Sequence, residues 1–192
     1  MSIVSDIEKL KKEKNAVILA HYYVDDDVQD VADYIGDSFY LSKVATKVSQ
    51  DRIIFAGVEF MGESAKILNP EKRVFMPDIN ADCPMAHMAD KDEILKLREQ
   101  YDDLAVVCYI NSTAELKKYS DVCVTSSNAV KIVKNLPNKN IFFIPDRNLG
   151  HFVAKQCPDK NFIFNNGCCP RHVVITQDMV KKAKEEHPLA KF

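Results

Sequence analysis

Short uninterrupted apolar runs recur along this chain, each followed by a stretch with helical spacing, and that alternation leaves few folds open. Ala16-Val17-Ile18-Leu19-Ala20 is the first such run. A continuous apolar stretch of that length fits a strand buried on both faces better than a half-exposed one. Ile53-Ile54-Phe55-Ala56, Val74-Phe75-Met76, Leu104-Ala105-Val106-Val107-Cys108, Val122-Cys123-Val124, Ile141-Phe142-Phe143-Ile144 and Phe162-Ile163-Phe164 follow in the same style. Lys9 to Lys14 reads as a basic helix end, and helical spacing returns at Val28 to Tyr34, Leu41 to Val48, Met61 to Leu68, Ala114 to Lys118, Ala129 to Lys134 and Gln177 to Glu186. Strands alternating with helices predict α/β domains in three layers, αβα, with parallel sheets.

An internal repeat divides the chain. Ala65 through Asp78 parallels Val130 through Asp146: both run helix, proline stop, basic turn, aromatic-rich strand, Pro-Asp. Any βα unit shares part of that order, but the common ending favours duplication. The expected organisation is tandem repeat domains at 1–83 and 84–170, with a C-terminal helix over 171–192.

Composition narrows the function classes. A chain of 192 residues has bulk for one large core or two small ones. Its 46% hydrophobic and 28% charged content is that of a soluble globular protein. A net charge of −2 gives no general attraction to nucleic acid or to an anionic membrane, so neither partner is expected. Met1-Ser2-Ile3-Val4-Ser5-Asp6 lacks the basic start and apolar core of an export signal, and the apolar runs are too short to cross a bilayer. A cytoplasmic location is therefore expected, where the six cysteines serve as thiols or metal ligands rather than disulfides.

Reactive and polar residues gather at the predicted strand ends. Cys83, in Asp82-Cys83-Pro84-Met85-Ala86, and the pair Cys168-Cys169, in Gly167-Cys168-Cys169-Pro170-Arg171-His172, each lie just beyond an apolar strand. Cysteines at equivalent positions of two repeats suggest one shared metal or cluster. The first strand ends in His21-Tyr22-Tyr23, the strand from Leu104 in Tyr109-Ile110-Asn111-Ser112, and the strand from Val122 in Thr125-Ser126-Ser127-Asn128. Ligands of open α/β sheets bind beyond such carboxyl ends. Alone, Thr125 to Asn128 reads as a helix cap before it reads as an anion site, and His21 as a satisfied core histidine. Together with two cysteine sites they outline one centre.

Taken in order, these segments resemble the quinolinate synthases, the A protein of bacterial and archaeal NAD synthesis. The resemblance rests on Ile18 through Tyr23, Val28 through Ser38, Phe60 through Pro70, Cys83 through Ala86, Tyr109 through Ser112, Thr125 through Val130, Pro145 through Gly150 and Gly167 through His172, and it runs from about Ala16 to the C-terminus. It implies an enzyme of three similar α/β domains around a pseudo-threefold axis, with a central [4Fe-4S] cluster held by one cysteine from each. It also implies condensation of iminoaspartate with dihydroxyacetone phosphate to quinolinate, phosphate and water. Carried over by resemblance, Cys83 is the first cluster ligand and Cys169 the second, because Cys169 stands three residues before His172. Cys168 is a packed neighbour that competes for the role, while Cys108, Cys123 and Cys157 have no counterpart and read as buried or incidental thiols. Tyr23 and Tyr109 become proton-transfer partners, His21 and Asn111 orient substrate oxygens, and Ser38 and Ser126 hold carboxylate or phosphate oxygens.

Two departures accompany the resemblance. Tyr22 stands where the family usually has asparagine. Glu185 through Phe192 resembles the helix end just before the third domain, whose histidine, glutamate and third cysteine lie outside this sequence. The expectation is a chain inactive or nearly so by itself, completed by a separate third domain or covered by a second copy. The reading from another class is a non-catalytic α/β protein that binds zinc, iron or an anionic metabolite. It lacks the paired Cys-x-x-Cys hooks of structural zinc sites.

Overall fold

The computed structural model describes residues 2–191. Two four-stranded parallel sheets carry the chain. The first uses β1 (Ala16–His21), β2 (Tyr34–Gly36), β3 (Arg52–Ala56) and β4 (Arg73–Phe75) in the order β2-β1-β3-β4. The second uses β5 (Leu104–Tyr109), β6 (Val122–Val124), β7 (Asn140–Ile144) and β8 (Asn161–Phe164) in the order β6-β5-β7-β8. One topology is thus laid down twice, β1 matching β5 and β4 matching β8. The tandem α/β architecture expected from the alternation is what forms.

Helices α1 (Ile3–Glu13), α2 (Asp26–Asp30), α3 (Ser38–Ala45) and α4 (Glu59–Leu68) accompany the first sheet. Helices α5 (Lys91–Gln100), α6 (Ala114–Lys118), α7 (Ala129–Asn135) and α8 (Arg147–Gln156) accompany the second, and α9 (Gln177–Glu186) follows. Side-chain caps at Asp37, Asp90, Thr113, Asp146 and Thr176 start α3, α5, α6, α8 and α9 by accepting otherwise unpaired backbone N–H groups. Alternation along the central strands builds the layers. In the second sheet Val107 and Phe143 enter one core with Val133 and Val153, while Val106 and Phe142 enter the opposite core with Ile94 and Leu116.

Several local expectations change. The helical spacing of Val28 to Tyr34 resolves into short α2 and then β2, because Tyr34, Ile35 and Gly36 pair in register with Leu19, Ala20 and His21. Asp33 locks that turn, its carboxylate accepting from the Ile18 N–H at 2.8 Å. Helices α5 and α8 add to the sequence reading. The repeat also shifts: Ala65 through Asp78 spans α4 and the edge strand β4, whereas Val130 through Asp146 spans α7 and the interior strand β7. Those segments are not structural equivalents, so the duplication is legible in strand order and only coincidentally in that match.

The two sheets meet through α4 and α6. The Glu63 carboxylate accepts the Ala114 N–H at 2.7 Å, capping α6 from the other unit. Lys117 Nζ donates to Ser64 Oγ at 2.9 Å. Asn165 Nδ2 donates to the Met88 carbonyl at 2.8 Å and to the Pro145 carbonyl at 2.7 Å, tying the connecting segment to the second sheet. Helix α9 buries none of its residues, and no helix among the described residues is long and apolar enough to cross a membrane.

Candidate active site

Because all strands in each sheet are parallel, their carboxyl ends share one edge, and the candidate residues follow it. His21 closes β1 and is buried, stacked on Tyr22 (centroids 4.6 Å) and edge-on to Tyr23 (4.5 Å). Its Nδ1 accepts the Tyr23 backbone N–H at 3.3 Å. Burial holds the imidazole below its usual pKa against the opposing charge of Asp37, so the ring is neutral at pH 7. A neutral ring accepting at Nδ1 carries its hydrogen on Nε2, which makes that atom a donor. Tyr23 is 77% exposed, its ring set edge-on against that of Tyr22 (centroids 4.7 Å).

Tyr109 closes β5 at the topological position of His21, and its pKa is pushed up to about 12. Burial is the largest cause, followed by the charges of Asp146, Cys169, Cys83 and Tyr23. One phenol therefore senses groups from both units. Two residues on, Asn111 Oδ1 is buried without a hydrogen-bond partner. A buried acceptor left open at a strand end is a place for a donor from outside the protein. Ser38 opens α3 beyond β2, and Ser126 lies exposed beyond β6, again at matching positions. The Thr125 to Asn128 turn is closed upon itself: Asn128 Oδ1 accepts the Thr125 N–H at 2.7 Å, and the Thr125 and Ser127 hydroxyls are 2.8 Å apart.

Cys83 follows β4 and Cys169 follows β8, equivalent positions beyond the two edge strands. Burial pushes the Cys83 thiol up, the Met85 and Ala86 N–H groups pull it down, and the charges of Cys169 and Asp82 push it up again. The thiols of the two units are thus close enough to repel when ionised. Asp82 fixes the Cys83 loop, accepting the Cys83 N–H at 2.6 Å and pairing with His87 Nε2 at 2.7 Å. On the other side, the Gly167 carbonyl accepts the Arg147 N–H at 2.7 Å. A Cβ added at Gly167 would stand 2.6 Å from the Pro145 carbonyl oxygen and 2.7 Å from Asn165 Nδ2. Only glycine lets the Cys169 loop approach that closely.

The structure thus gathers Tyr23, Tyr109, Cys83 and Cys169, sets His21 against Tyr23, and leaves Ser126 and His172 exposed. No group of three or more His, Cys, Asp or Glu side chains among the described residues is arranged to hold a metal ion. Two thiols would supply only part of a cluster's ligand set. Sequence reasoning misses Asp82, Asp146 and Asn165 as site residues; the Pro-Asp ending enters it only as a repeat marker and as part of the resembling segment Pro145 through Gly150. A concavity of about 630 Å³ at the junction, lined by Glu63, His87, Asp90, Thr113, Glu115 and Asn165, includes none of the expected site residues.

A family model described as Quinolinate synthetase A protein matches residues 5–192. Similar curated proteins are named quinolinate synthase. The one from Fusobacterium nucleatum is 62% identical over 185 residues, covering 96% of this chain and 62% of that protein. The one from Caldicellulosiruptor saccharolyticus is 54% identical over 188 residues (98% and 62%), and the one from Clostridioides difficile 52% over 181 residues (94% and 60%). The chain therefore spans about three-fifths of the length of these relatives.

Proposed function

The chain belongs to the quinolinate synthase A family, and from that premise we propose that it forms the first two domains of such an enzyme, divided at 83/84. The whole reaction condenses iminoaspartate with dihydroxyacetone phosphate and releases quinolinate, phosphate and water in cytoplasmic NAD synthesis. The observation that carries the reading is Tyr109: a phenol of the second unit whose proton is held first by burial, then by the charge of Asp146, and then by Cys169 of its own unit and Cys83 and Tyr23 of the first.

With its pKa near 12, Tyr109 keeps its proton at neutral pH and acts as a donor to a leaving or carbonyl oxygen. Tyr23, exposed on the facing strand end, is the other proton-transfer group. His21 Nε2–H donates to a substrate oxygen, and Asn111 Oδ1 accepts from a substrate hydroxyl or imine N–H, which meets its open valence. Ser38, at the first turn of α3, and Ser126 offer hydroxyls to carboxylate or phosphate oxygens. Cys83 and Cys169 would hold a [4Fe-4S] cluster, with a third thiol from outside these two units completing the set. Such a cluster, when bound, supplies an iron with an open position that acts as a Lewis acid.

The test is anaerobic reconstitution with iron and sulfide, with and without the separately expressed C-terminal third of the Fusobacterium relative, followed by assay for quinolinate. Product from the combined proteins, lost in Cys83→Ser and Cys169→Ser but kept in Cys168→Ser, supports the reading. Failure of Cys168→Ser with an active Cys169→Ser reverses the ligand assignment. No product under any combination sinks it.

A further inference from the structure

The remaining cysteines contain a second thiol pair on the far side of β5. Cys108 of β5 and Cys123 of β6 are register partners on adjacent parallel strands. Neighbouring strands run about 4.8 Å apart, and a disulfide spans Cα separations of roughly 4.4–6.8 Å. Register partners project to the same face, which sets the two side chains beside each other. Cys108 is fully buried among Ile94, Leu116, Phe142 and Ile144, whereas its neighbour Tyr109 packs toward the opposite core. Cys123 is exposed, on a three-residue strand at the open edge of the sheet. One thiol faces the reagent and the other waits behind it.

The surroundings favour an anionic pair. The Cys123 thiol draws the Cys108 pKa down to about 7, opposed by burial, and the Ser112 and Ser120 hydroxyls and the Lys117 ammonium pull the same way. Cys123 is held correspondingly high by its bond to Cys108 and by burial. The first proton to leave the pair therefore comes from Cys108, with the Cys123 thiol beside it. Lys117 reaches this spot from α6 while its ammonium also donates to Ser64 of the first unit.

We propose that Cys108 and Cys123 form a reversible disulfide by exchange with a small-molecule disulfide, a modification site separate from Cys83 and Cys169. Cys123 passes its proton to the Cys108 thiolate as it attacks one sulfur of the reagent, forming a mixed disulfide and expelling one thiolate, which takes that proton and leaves Cys108 ionised. Cys108 thiolate then attacks Cys123 sulfur, closing the protein disulfide and expelling the second thiolate. The two protons given up by the cysteines go to the two departing thiolates. Two electrons pass from the protein dithiol to the reagent, and an external dithiol reverses the step. Closure draws β6 against β5 at the residue before the Tyr109–Val124 pair, directly below Thr125 and Ser126.

The full chain, reduced and then equilibrated in glutathione buffers stepped from reducing to oxidising, would be alkylated, digested with trypsin and weighed. The expected product is a peptide of residues 99–117 joined to residues 119–131, two hydrogens lighter than the reduced pair and restored by dithiothreitol. Cys108→Ser is expected to stop at a glutathione adduct on Cys123, and Cys123→Ser to leave Cys108 free. Each unit by which a Lys117→Met change raises the thiol pKa is expected to slow closure about threefold, since lost thiolate outweighs gained nucleophilicity. Two free thiols in the fully oxidising buffer, with circular dichroism unchanged, would overturn the proposal. So would a wild-type chain that stops at the adduct, or Cys108 joined indiscriminately to other cysteines.

Discussion

At the scale of single residues, the site is legible as chemistry before it is legible as geometry. His21, Tyr23, Tyr109 and Cys83 stand at or just beyond strand ends in the sequence, and the parallel sheets then bring those ends to one edge. What the sequence could not supply is the electrostatic consequence. Tyr109 is held near 12 because burial and four anionic neighbours act on it, and those neighbours lie between 23 and 169 in the chain. The sign of the stability effect follows. The folded pKa is above the unfolded value of about 10, so this contribution is fully present below pH 10 and is lost as the pH rises from about 10 to 12, by at most roughly 2–3 kcal/mol. Tyrosinate absorbance of wild type minus Tyr109→Phe is expected to show an ionisation centred near pH 12. A midpoint at 10 would mean that Tyr109 does not sit among these charges.

At the scale of elements, strand positions were readable because a doubly buried strand must be continuously apolar, as in β1 and β7. Two helices were harder for opposite reasons. Helix α5 is charged at six of its ten positions, with only Ile94 buried and Leu97 packed beside it at the core's margin, so its apolar stripe is one turn long. Helix α8 carries Gly150 mid-helix, where glycine ordinarily argues against a helix; a Cβ there would lie 3.1 Å from Phe143 and 3.2 Å from Phe164, so close helix–sheet packing explains it. The start of α8 joins structure to chemistry. Asp146 is buried, accepts the Asn148 and Leu149 N–H groups at 2.8 and 3.2 Å, and is the largest charge acting on Tyr109. Asp146→Asn keeps the cap acceptor and removes the charge, so Tyr109 is expected to ionise at lower pH with a small loss of stability. Asp146→Ala is expected to cost about 1–2 kcal/mol as well. A denaturation midpoint and the same absorbance titration separate these effects; an unmoved Tyr109 in both variants would contradict the assignment.

At the scale of the whole molecule, neither unit owns the candidate site, and what aligns its halves is a small polar junction. The strand order repeated in each unit makes Cys83 and Cys169 topological equals, but equivalence alone does not bring two loops together. Asn165 does so from β8's end, one amide donating both to Met88, five residues past Cys83, and to Pro145, beside Asp146. Asparagine in a loop gives no such sign in the sequence, which is why this part of the arrangement was invisible there. Removing the amide leaves two carbonyls short of a donor in a buried place and costs about 1–3 kcal/mol. Asn165→Ala is therefore expected to lower the melting temperature and also to reduce iron retained after anaerobic reconstitution, although Asn165 is no ligand. Asn165→Asp keeps the volume but replaces the donor with an acceptor facing two carbonyls, and is expected to be worse than alanine on both readouts. Iron retention falling with unchanged stability would point to direct ligation at Asn165. Stability falling with iron retention intact would mean that the cysteines are aligned by the Glu63–Ala114 contact across the other side of the junction, and that the amide only holds the connecting segment.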